Sequence, residues 1–446
     1  MGDITSGRLP LSELAANFSD KHPPLTAGQA VVEAERCYFC HDAPCIAACP
    51  TGIDIPLFIR KIATGNLRGS ALTILEANVL GGSCARVCPT EELCERACVH
   101  TAQEGQPIKI GALQRHSTDW LMKRETTPFT RAAPTGHHVA VVGAGPAGLA
   151  CAHRLAQLGN AVTIFEAHGK PGGLNEYGLA AYKVADDFAQ REIQFILAIG
   201  GISIEYGKVL GRDISLAELR RSHDAVFLGI GQAGVQQLGL QDEHATGVRN
   251  AVDFIADVRQ LPSDLVSVGR RVIVVGGGNT AIDAAVQSRS LGAEDVTIVY
   301  RRGPHHMSAT KDEQAWAKAH DVRIRHWAAP TRLLLDSEGI TGVVFARTRL
   351  DSAGKLTYTD DTYQLDADMV LKAIGQRLVV DSITEFLTTA ADRIVVDNER
   401  ASSIPGVYAG GDCVPGPDLT VSAVEDGKQA AEAIHRRLGG PHFAGR

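Results

Sequence analysis

The chain has 446 residues, 44% of them hydrophobic and only 5% aromatic, with 46 glycines. That length allows two to four domains, and the glycine-rich, aromatic-poor mix suits α/β folds with many tight turns. A formal net charge of −7 argues against a nucleic-acid surface as the main business. The start, MGDITSGRLPLSELAANFSD, lacks a basic region followed by an apolar run. The most apolar stretch, VAVVGAGPAGLACAHRLAQLG, carries Arg154 and several glycines, which makes it a poor membrane span. A soluble cytoplasmic protein is expected.

Residues 27–36, AGQAVVEAER, read as a short helix leading into CYFCHDAPCIAACP at 37–50. Eight of the ten cysteines lie between residues 37 and 98. Clustered thiols in a reducing compartment bind metal or do redox work more often than they form disulfides. The spacing C-x2-C-x4-C-x3-C-P is close to the bacterial ferredoxin run, in which the fourth cysteine serves the other cluster. On that geometry Cys37, Cys40 and Cys45 hold one [4Fe-4S] cluster and Cys49 crosses to a second. The later run CARVCPTEELCERAC offers Cys84, Cys88, Cys94 and Cys98, so the eight sulfurs match the eight ligands that two clusters need. The alternative is zinc, which usually shows two separated C-x2-C pairs; only one such pair is present. Between the two cysteine sets, residues 56–80 read as two amphipathic helical segments broken near Gly65. Cys151 and Cys413 read as buried small hydrophobes. Residues 124–137, RETTPFTRAAPTGH, read as a linker.

Beyond the linker the pattern changes to strand, glycine turn, helix, strand, and this occurs twice. In VVGAGPAG, Gly143 permits the tight turn and Gly145 lets a pyrophosphate approach the backbone. Gly148 lets helix pack on strand, while Pro146 and Ala147 open the helix whose N-terminus faces the phosphate. Glu166, eighteen residues after Gly148, ends the second strand and would grip a ribose. KPGGL at 170–174 and GVYAGGDC at 406–413 point to FAD, with Asp412 accepting from a ribityl hydroxyl. A helix starting near Thr420 would turn its positive end to the flavin.

In the second copy, VVGGGNTAIDAA, Gly276 and Gly278 are followed by Asn279, Thr280 and Ala281, the last in place of the third glycine. The paired strand ends in Tyr300, Arg301 and Arg302 rather than in an acid. Arginines there can pair with a 2′-phosphate, which leans the site to NADPH, or they are a solvated surface pair. No cysteine lies between residues 152 and 412, so the flavin has no redox C-x-x-C to reduce there. The N-terminal clusters are the available exit for its electrons. The expected fold is α/β with an N-terminal α-helical iron–sulfur domain and two Rossmann-like nucleotide-binding domains, the second inserted in the first. The expected bounds are 1–123 for the helical domain, 138–250 with 376–446 for FAD, and 251–375 for NAD(P).

Taken together, CYFCHDAPCIAACP, NVLGGSCARVCPTEELCERAC, IKIGALQR, VVGAGPAGLA, KPGGLNEYG, GGGNTAIDAA, VYRRG, GVYAGGDC and VEDGKQAA resemble one family. From about residue 25 onward the chain is similar to the nicotinamide/flavin/iron–sulfur half of dihydropyrimidine dehydrogenase. That half is a separate subunit in bacteria and is close to the small subunit of glutamate synthase. The resemblance implies Cys37, Cys40, Cys45 and Cys98 on one cluster, and Cys49, Cys88, Cys94 and Gln114 on the other. Cys84 is then a spare. It implies FAD contacts from Glu166, Gly173, Leu174, Lys183, Gly411 and Asp412, to which Leu210 is added. It places Ala373, Ile374 and Gly375 beside the nicotinamide cofactor. Relatives that use NADPH carry a further arginine where Ser308 stands, and bacterial subunits of this kind commonly use NADH, so both cofactors stay open.

The implied activity is electron input for pyrimidine catabolism. NAD(P)H would reduce FAD, and two [4Fe-4S] clusters would carry the electrons singly to an FMN-containing barrel subunit that reduces uracil or thymine. A (β/α)8 barrel takes about 250 residues, and none remain here for one, so a hetero-oligomer without nucleic acid or membrane is expected. The alternatives are the small subunit of glutamate synthase, against which Gln114 speaks, and a non-catalytic redox sensor or scaffold, against which the intact glycine turns speak.

Overall fold

The fold is that of a computed structural model, which describes residues 3–124, 126–379 and 387–440. It divides into two compact units. One comprises His22–Glu176, Asp186–Ala233 and Leu378–Arg446; the other comprises Met1–Lys21, Tyr177–Ala185 and Gly234–Arg377.

The first unit joins the cysteine-rich helices to the first nucleotide fold. Its N-terminal helix Ala27–Glu35 is fixed by a capping box between Thr26 and Gln29. Helices Ile55–Ala63 and Leu67–Ala77 follow. They are separated at Gly65, whose φ of +79° favours glycine, and Asn66 caps the second helix by accepting from Gly69 N–H at 2.9 Å. Phe58, Ile59, Ile62 and Ile74 from these helices pack with Leu113 of the helix Ile110–Met122 to form a core beneath the cysteines. From residue 138 the unit becomes a five-stranded parallel sheet. Its order is Val407–Ala409, Ala225–Leu228, His138–Val142, Ala161–Glu166, Ile202–Tyr206. Helix Pro146–Gln157 and the long helix Thr420–Arg437 pack across it, burying Cys151, Val424 and Ile434. Cys151 and Cys413 are both fully buried.

The second unit repeats the topology. A parallel sheet runs Val248–Asn250, Met369–Ala373, Arg271–Gly276, Asp295–Tyr300, Arg323–His326. The helix Asn279–Ser290 follows its glycine turn. An antiparallel three-stranded sheet, Ala328–Leu335, Ile340–Leu350 and Leu356–Asp366, is added to it.

The division into units does not follow the expected domain bounds: the cysteine-rich helices from His22 share a unit with the flavin fold, and Gln376 and Arg377 fall in the second unit. Residues 1–21 and 177–185 belong to the second unit, and that unit begins at 234 rather than 251 because Val248–Asn250 pairs with Met369–Ala373. Leu14 of helix Leu11–Asn17, together with Ala180 and Tyr182, lies in the same core as Phe254 and Val272. Among the described residues, no helix is long and apolar enough to cross a membrane.

Candidate electron-transfer centre

The first cysteine set is built on a loop. Cys37 follows the helix Ala27–Glu35, and Cys45 lies on the one-turn helix Pro44–Ala47 that Pro44 starts. Cys98 precedes the helix Val99–Glu104. Cys37, Cys40, Cys45 and Cys98 line one cavity, closed by Ile55, Ile59, Ile108 and Ile110. These are the four residues that the resemblance assigned to one cluster.

The chemistry of the donors tests what that cavity suits. Burial pushes the Cys45 thiol up to about 12, and neighbouring Cys98 and Cys37 push it the same way. Cys37 is raised by burial and by Cys40 and Cys98, although Phe39 N–H donates to its sulfur at 3.5 Å. Packed thiolates of this kind repel one another unless cationic iron balances them. Four cysteines lining one cavity are the donor number and type that a [4Fe-4S] cluster takes.

The resemblance assigned Cys49, Cys88 and Cys94 to the other cluster. Burial is the largest influence on Cys88 and Cys94, raising both, and each also feels Cys49. Cys84 lies in the same group: it is buried, its thiol neighbours Cys49 and Cys88, and Asn78 Nδ2 donates to its sulfur at 3.2 Å. Gln114, buried on the helix Ile110–Met122, donates Nε2 to the Gly81 carbonyl at 2.7 Å. That bond commits the amide nitrogen and leaves the oxygen as the atom that can ligate iron. Spacing alone does not find Gln114: it is one of four polar side chains buried on this helix, with Arg115, Ser117 and Thr118, so its burial gives no local signal that singles it out.

The flavin half of the site begins where strand His138–Val142 ends. Gly143 has φ +95°, and a Cβ on it would lie 2.4 Å from Gly229 O; one on Gly148 would lie 1.9 Å from Gly143 O. Neither position tolerates a side chain. A Cβ on Gly145, by contrast, would meet only the Gly173 Cα at 3.8 Å. The space in front of Gly145, at the start of helix Pro146–Gln157, is therefore open backbone cradle, and it suits a pyrophosphate. Ala147 lies in the first turn of that helix.

Glu166 is buried and accepts from Ala144 N–H at 2.7 Å and from His168 N–H at 2.8 Å, with His168 Nδ1 at 2.9 Å. Burial raises its pKa, but those donors outweigh it and hold the carboxylate below its ordinary range. The acid stays ionised at the loop, as a ribose acceptor needs. Asp412 follows Gly411, whose N–H is held by Asp426 at 2.9 Å, and the Asp412 carbonyl accepts from Gln232 and Arg393. Burial, then the nearby Asp418, raises the Asp412 carboxyl to about 6. Helix Thr420–Arg437 starts at the residue the sequence indicated, and Thr420 Oγ1 donates to Asn175 Oδ1 at 2.9 Å. Leu174 is partly exposed, and Leu210 forms a lone bridge with Ile214.

Lys183, which the resemblance puts at the flavin, is in the nicotinamide unit. Its ammonium lies 2.7 Å from Asp283 and 3.0 Å from Glu313, and Glu313 also pairs with Lys21 at 2.7 Å. Tyr182 donates to Asp283 at 3.2 Å. Two cations and two carboxylates thus balance inside the fold.

In the second glycine turn, a Cβ on Gly276 would lie 2.1 Å from Ala373 O. One on Gly278 would meet only Ser308 Oγ at 3.3 Å, so a dinucleotide phosphate has room there. Asn279 and Thr280 open the helix, and Ala281 is fully buried where the third glycine would pack. Asn279 Oδ1 accepts from Thr310 N–H at 3.2 Å. Arg301 is exposed and Arg302 half-buried, just past strand Asp295–Tyr300. Ala373 ends its strand, Ile374 packs on the neighbouring core, and the Gly375 carbonyl accepts from Gln236 N–H at 3.0 Å.

Two glycine cradles and a cysteine-lined cavity on one chain define a pyridine-nucleotide-dependent flavin oxidoreductase with an iron–sulfur domain. The family model described as dihydropyrimidine dehydrogenase domain II, 4Fe-4S cluster, matches residues 14–126. The model for pyridine nucleotide-disulphide oxidoreductases matches residues 137–427. The NAD-dependent dihydropyrimidine dehydrogenase subunit PreT of Salmonella typhimurium is 36% identical over 423 residues, covering 95% of this chain and 98% of that one. The glutamate synthase [NADPH] small chain of Escherichia coli is 32% identical over 452 residues, covering 95% of each. Among solved structures, Mycobacterium tuberculosis FprA in complex with NADPH superposes with a TM-score of 0.57 at 19% identity, over 68% of this chain and 85% of that one. The chain belongs to the family of NAD-dependent dihydropyrimidine dehydrogenase PreT subunits, in which the glutamate synthase small chain is a further relative.

Proposed function

We propose that the chain is the electron-input subunit of a dihydropyrimidine dehydrogenase. It would take reducing equivalents from NAD(P)H and deliver them to an FMN-containing partner that reduces uracil or thymine to the 5,6-dihydropyrimidine. The observation that carries the reading is the union of the flavin fold and the cysteine-rich helices in one compact unit.

When bound, FAD accepts a hydride and the iron–sulfur clusters accept single electrons, which is chemistry the cofactors supply. The protein's part is to bind, hold and insulate. Gly145 and the helix behind it would seat the pyrophosphate, and Glu166 would hold the ribose. Asp426 fixes the loop that carries Asp412, which would meet the ribityl chain. Cys37, Cys40, Cys45 and Cys98 would hold one cluster; Cys49, Cys88, Cys94 and Gln114 would hold the other. Tyr38, beside the first cavity, is 54% exposed, which leaves that edge open to a partner.

The test is reconstitution. Mixing the anaerobically purified, cofactor-loaded chain with an FMN-type barrel protein should give NADH-dependent uracil reduction that neither component gives alone. Activity with glutamine and 2-oxoglutarate, given a different partner, would move the assignment to the glutamate synthase arrangement.

A further inference from the structure

The run VEDGKQAA at 424–431 marks the family resemblance, yet the cofactor sites use only Asp426. In the structure its residues make three different contacts. Asp426 holds Gly411 N–H at 2.9 Å and so fixes the loop carrying Asp412. Gly427 lets helix Thr420–Arg437 cross helix Pro146–Gln157 in contact, since a Cβ there would lie 2.1 Å from Ala147 O. Lys428 reaches the cysteine-rich helices, donating to the Ala77 carbonyl at 3.2 Å and the Thr51 carbonyl at 3.5 Å. Glu425 Oε2 lies 2.6 Å from the same ammonium. Thr51 is buried, and its Oγ1 is 3.4 Å from Cys49 Sγ. One turn of helix therefore touches the flavin loop at one residue and the neighbourhood of a cluster ligand two residues later.

We propose that Lys428 is a positioning residue for electron transfer. It plants a positive charge beside the second cysteine set, and that charge raises the readiness of the cluster held by Cys49 to accept an electron. Glu425 sets how much of the charge is felt. A cluster gains negative charge on reduction, and its potential follows local charge and solvent exposure. The Lys428 side chain is only 21% exposed, so its field is less screened than that of a surface lysine. The plain alternative is that Lys428 merely caps the C-terminal carbonyl of helix Leu67–Ala77. A cap that only orders the backbone can be supplied by the neutral donor of Lys428→Gln, which would then leave both potentials where they are.

The proposal rests on the iron–sulfur reading, and the two can fail separately. Anaerobically purified, cofactor-loaded protein is titrated with reductant while both cluster signals are followed by electron paramagnetic resonance. In Lys428→Met, one of the two signals should move to lower potential and the other should stay. Lys428→Arg should restore it. Glu425→Gln, which leaves both carbonyl contacts of Lys428 in place, should move the same signal to higher potential. Unmoved potentials in Lys428→Met and Glu425→Gln, with both clusters intact, overturn the proposal. Should Lys428→Met lose iron, Lys428→Gln, which keeps a hydrogen-bond donor without the charge, decides in its place, and an unmoved signal overturns the proposal. Iron and sulfide in the parent protein too low for two clusters would instead sink the iron–sulfur reading itself.

Discussion

Ser83 gives both its backbone N–H and its hydroxyl to Glu192, one to each carboxylate oxygen, the N–H at 3.0 Å. The pair joins the cysteine-rich helix Gly81–Val87 to the flavin-fold helix Phe188–Leu197. Gly82 is there because a Cβ would lie 2.5 Å from the Phe188 ring and 2.8 Å from Glu192 Oε1. Glu192 is fully buried, and burial raises its pKa from 4.5 to about 7 against the opposing hydrogen bonds from Ser83 and the charge of Arg86.

That shift has a definite sign. Between pH 4.5 and 7 the folded state binds this proton more readily than the unfolded state does. The associated stability is present at low pH and is lost as pH rises through about 7. The whole span is on the order of 3 kcal/mol. Glu192→Gln should remove this slope. Melting of the parent protein should therefore fall relative to Glu192→Gln between pH 5.5 and pH 8, and parallel curves would refute the assignment.

The two glycines of the flavin turn should fail in different ways. Gly145→Ala places a methyl in open cradle, so the fold should survive. Flavin affinity should drop by about tenfold or more, since the pyrophosphate loses its close approach. Gly148→Ala drives a Cβ into the Gly143 carbonyl, so it should lower stability with or without flavin. Flavin-to-protein ratio, together with circular dichroism of the flavin-stripped proteins, separates the two outcomes.

What could be read from the chain divides along the range of the interactions. The glycine turns, Glu166, the break at Gly65 and the helix beginning at Thr420 are encoded within a few residues by turn geometry and hydrophobic period. The cysteine spacing carried the cluster chemistry in the same local way. Other features depend on partners far along the chain. Lys183 meets Asp283, a hundred residues on, and nothing in the local run YKVADD announces it. Helix Leu11–Asn17 buries only Leu14, too little for a periodic signal. Strand Leu356–Asp366 mixes half-buried and exposed positions, so its alternation is weak and its sheet was not foreseen. Gln114 came from the resemblance, since spacing gives a lone amide no meaning.

Lys183→Met should destabilise the nicotinamide unit. It removes a buried cation from between Asp283 and Glu313, leaving Asp283 without its closest charge partner. Breaking one side of a buried ion pair typically costs about 3–5 kcal/mol. Double substitution with Asp283→Asn should recover part of the loss. Thermal melting measures it, and flavin content should stay near that of the parent protein.

The cofactor preference turns on Arg301 and Ser308. Ser308 Oγ lies over Gly278 at the nucleotide loop, while Arg301 is exposed past the strand that ends at Tyr300. A single exposed arginine gives a 2′-phosphate modest help. NADH should be the better donor, and Arg301→Ala should reduce the use of NADPH by about tenfold, equivalent to ~1.4 kcal/mol. Use of NADH should change little. Steady-state dye reduction with each donor tests this, and equal losses with both would show that Arg301 does not read the phosphate.

The sharpest discrimination lies in the cysteines. Cys94→Ser removes a proposed ligand of the second cluster, and about half of the iron should go with it if each site holds one cubane. Cys84→Ser should leave the iron content unchanged, because the proposed scheme does not need that thiol. Gln114→Ala should keep iron but alter the spectrum of one cluster, since water or a neighbouring thiol would have to take the vacated position. Cys84 is the neighbouring thiol available: it is buried, and Cys49 and Cys88 are beside it. The double variant Gln114→Ala with Cys84→Ser should then lose the cluster that Gln114→Ala alone retains. Equal iron in the double and single variants would show that Cys84 plays no part, whereas loss of iron in Cys84→Ser alone would make the eight cysteines, not seven and an amide, the ligand set.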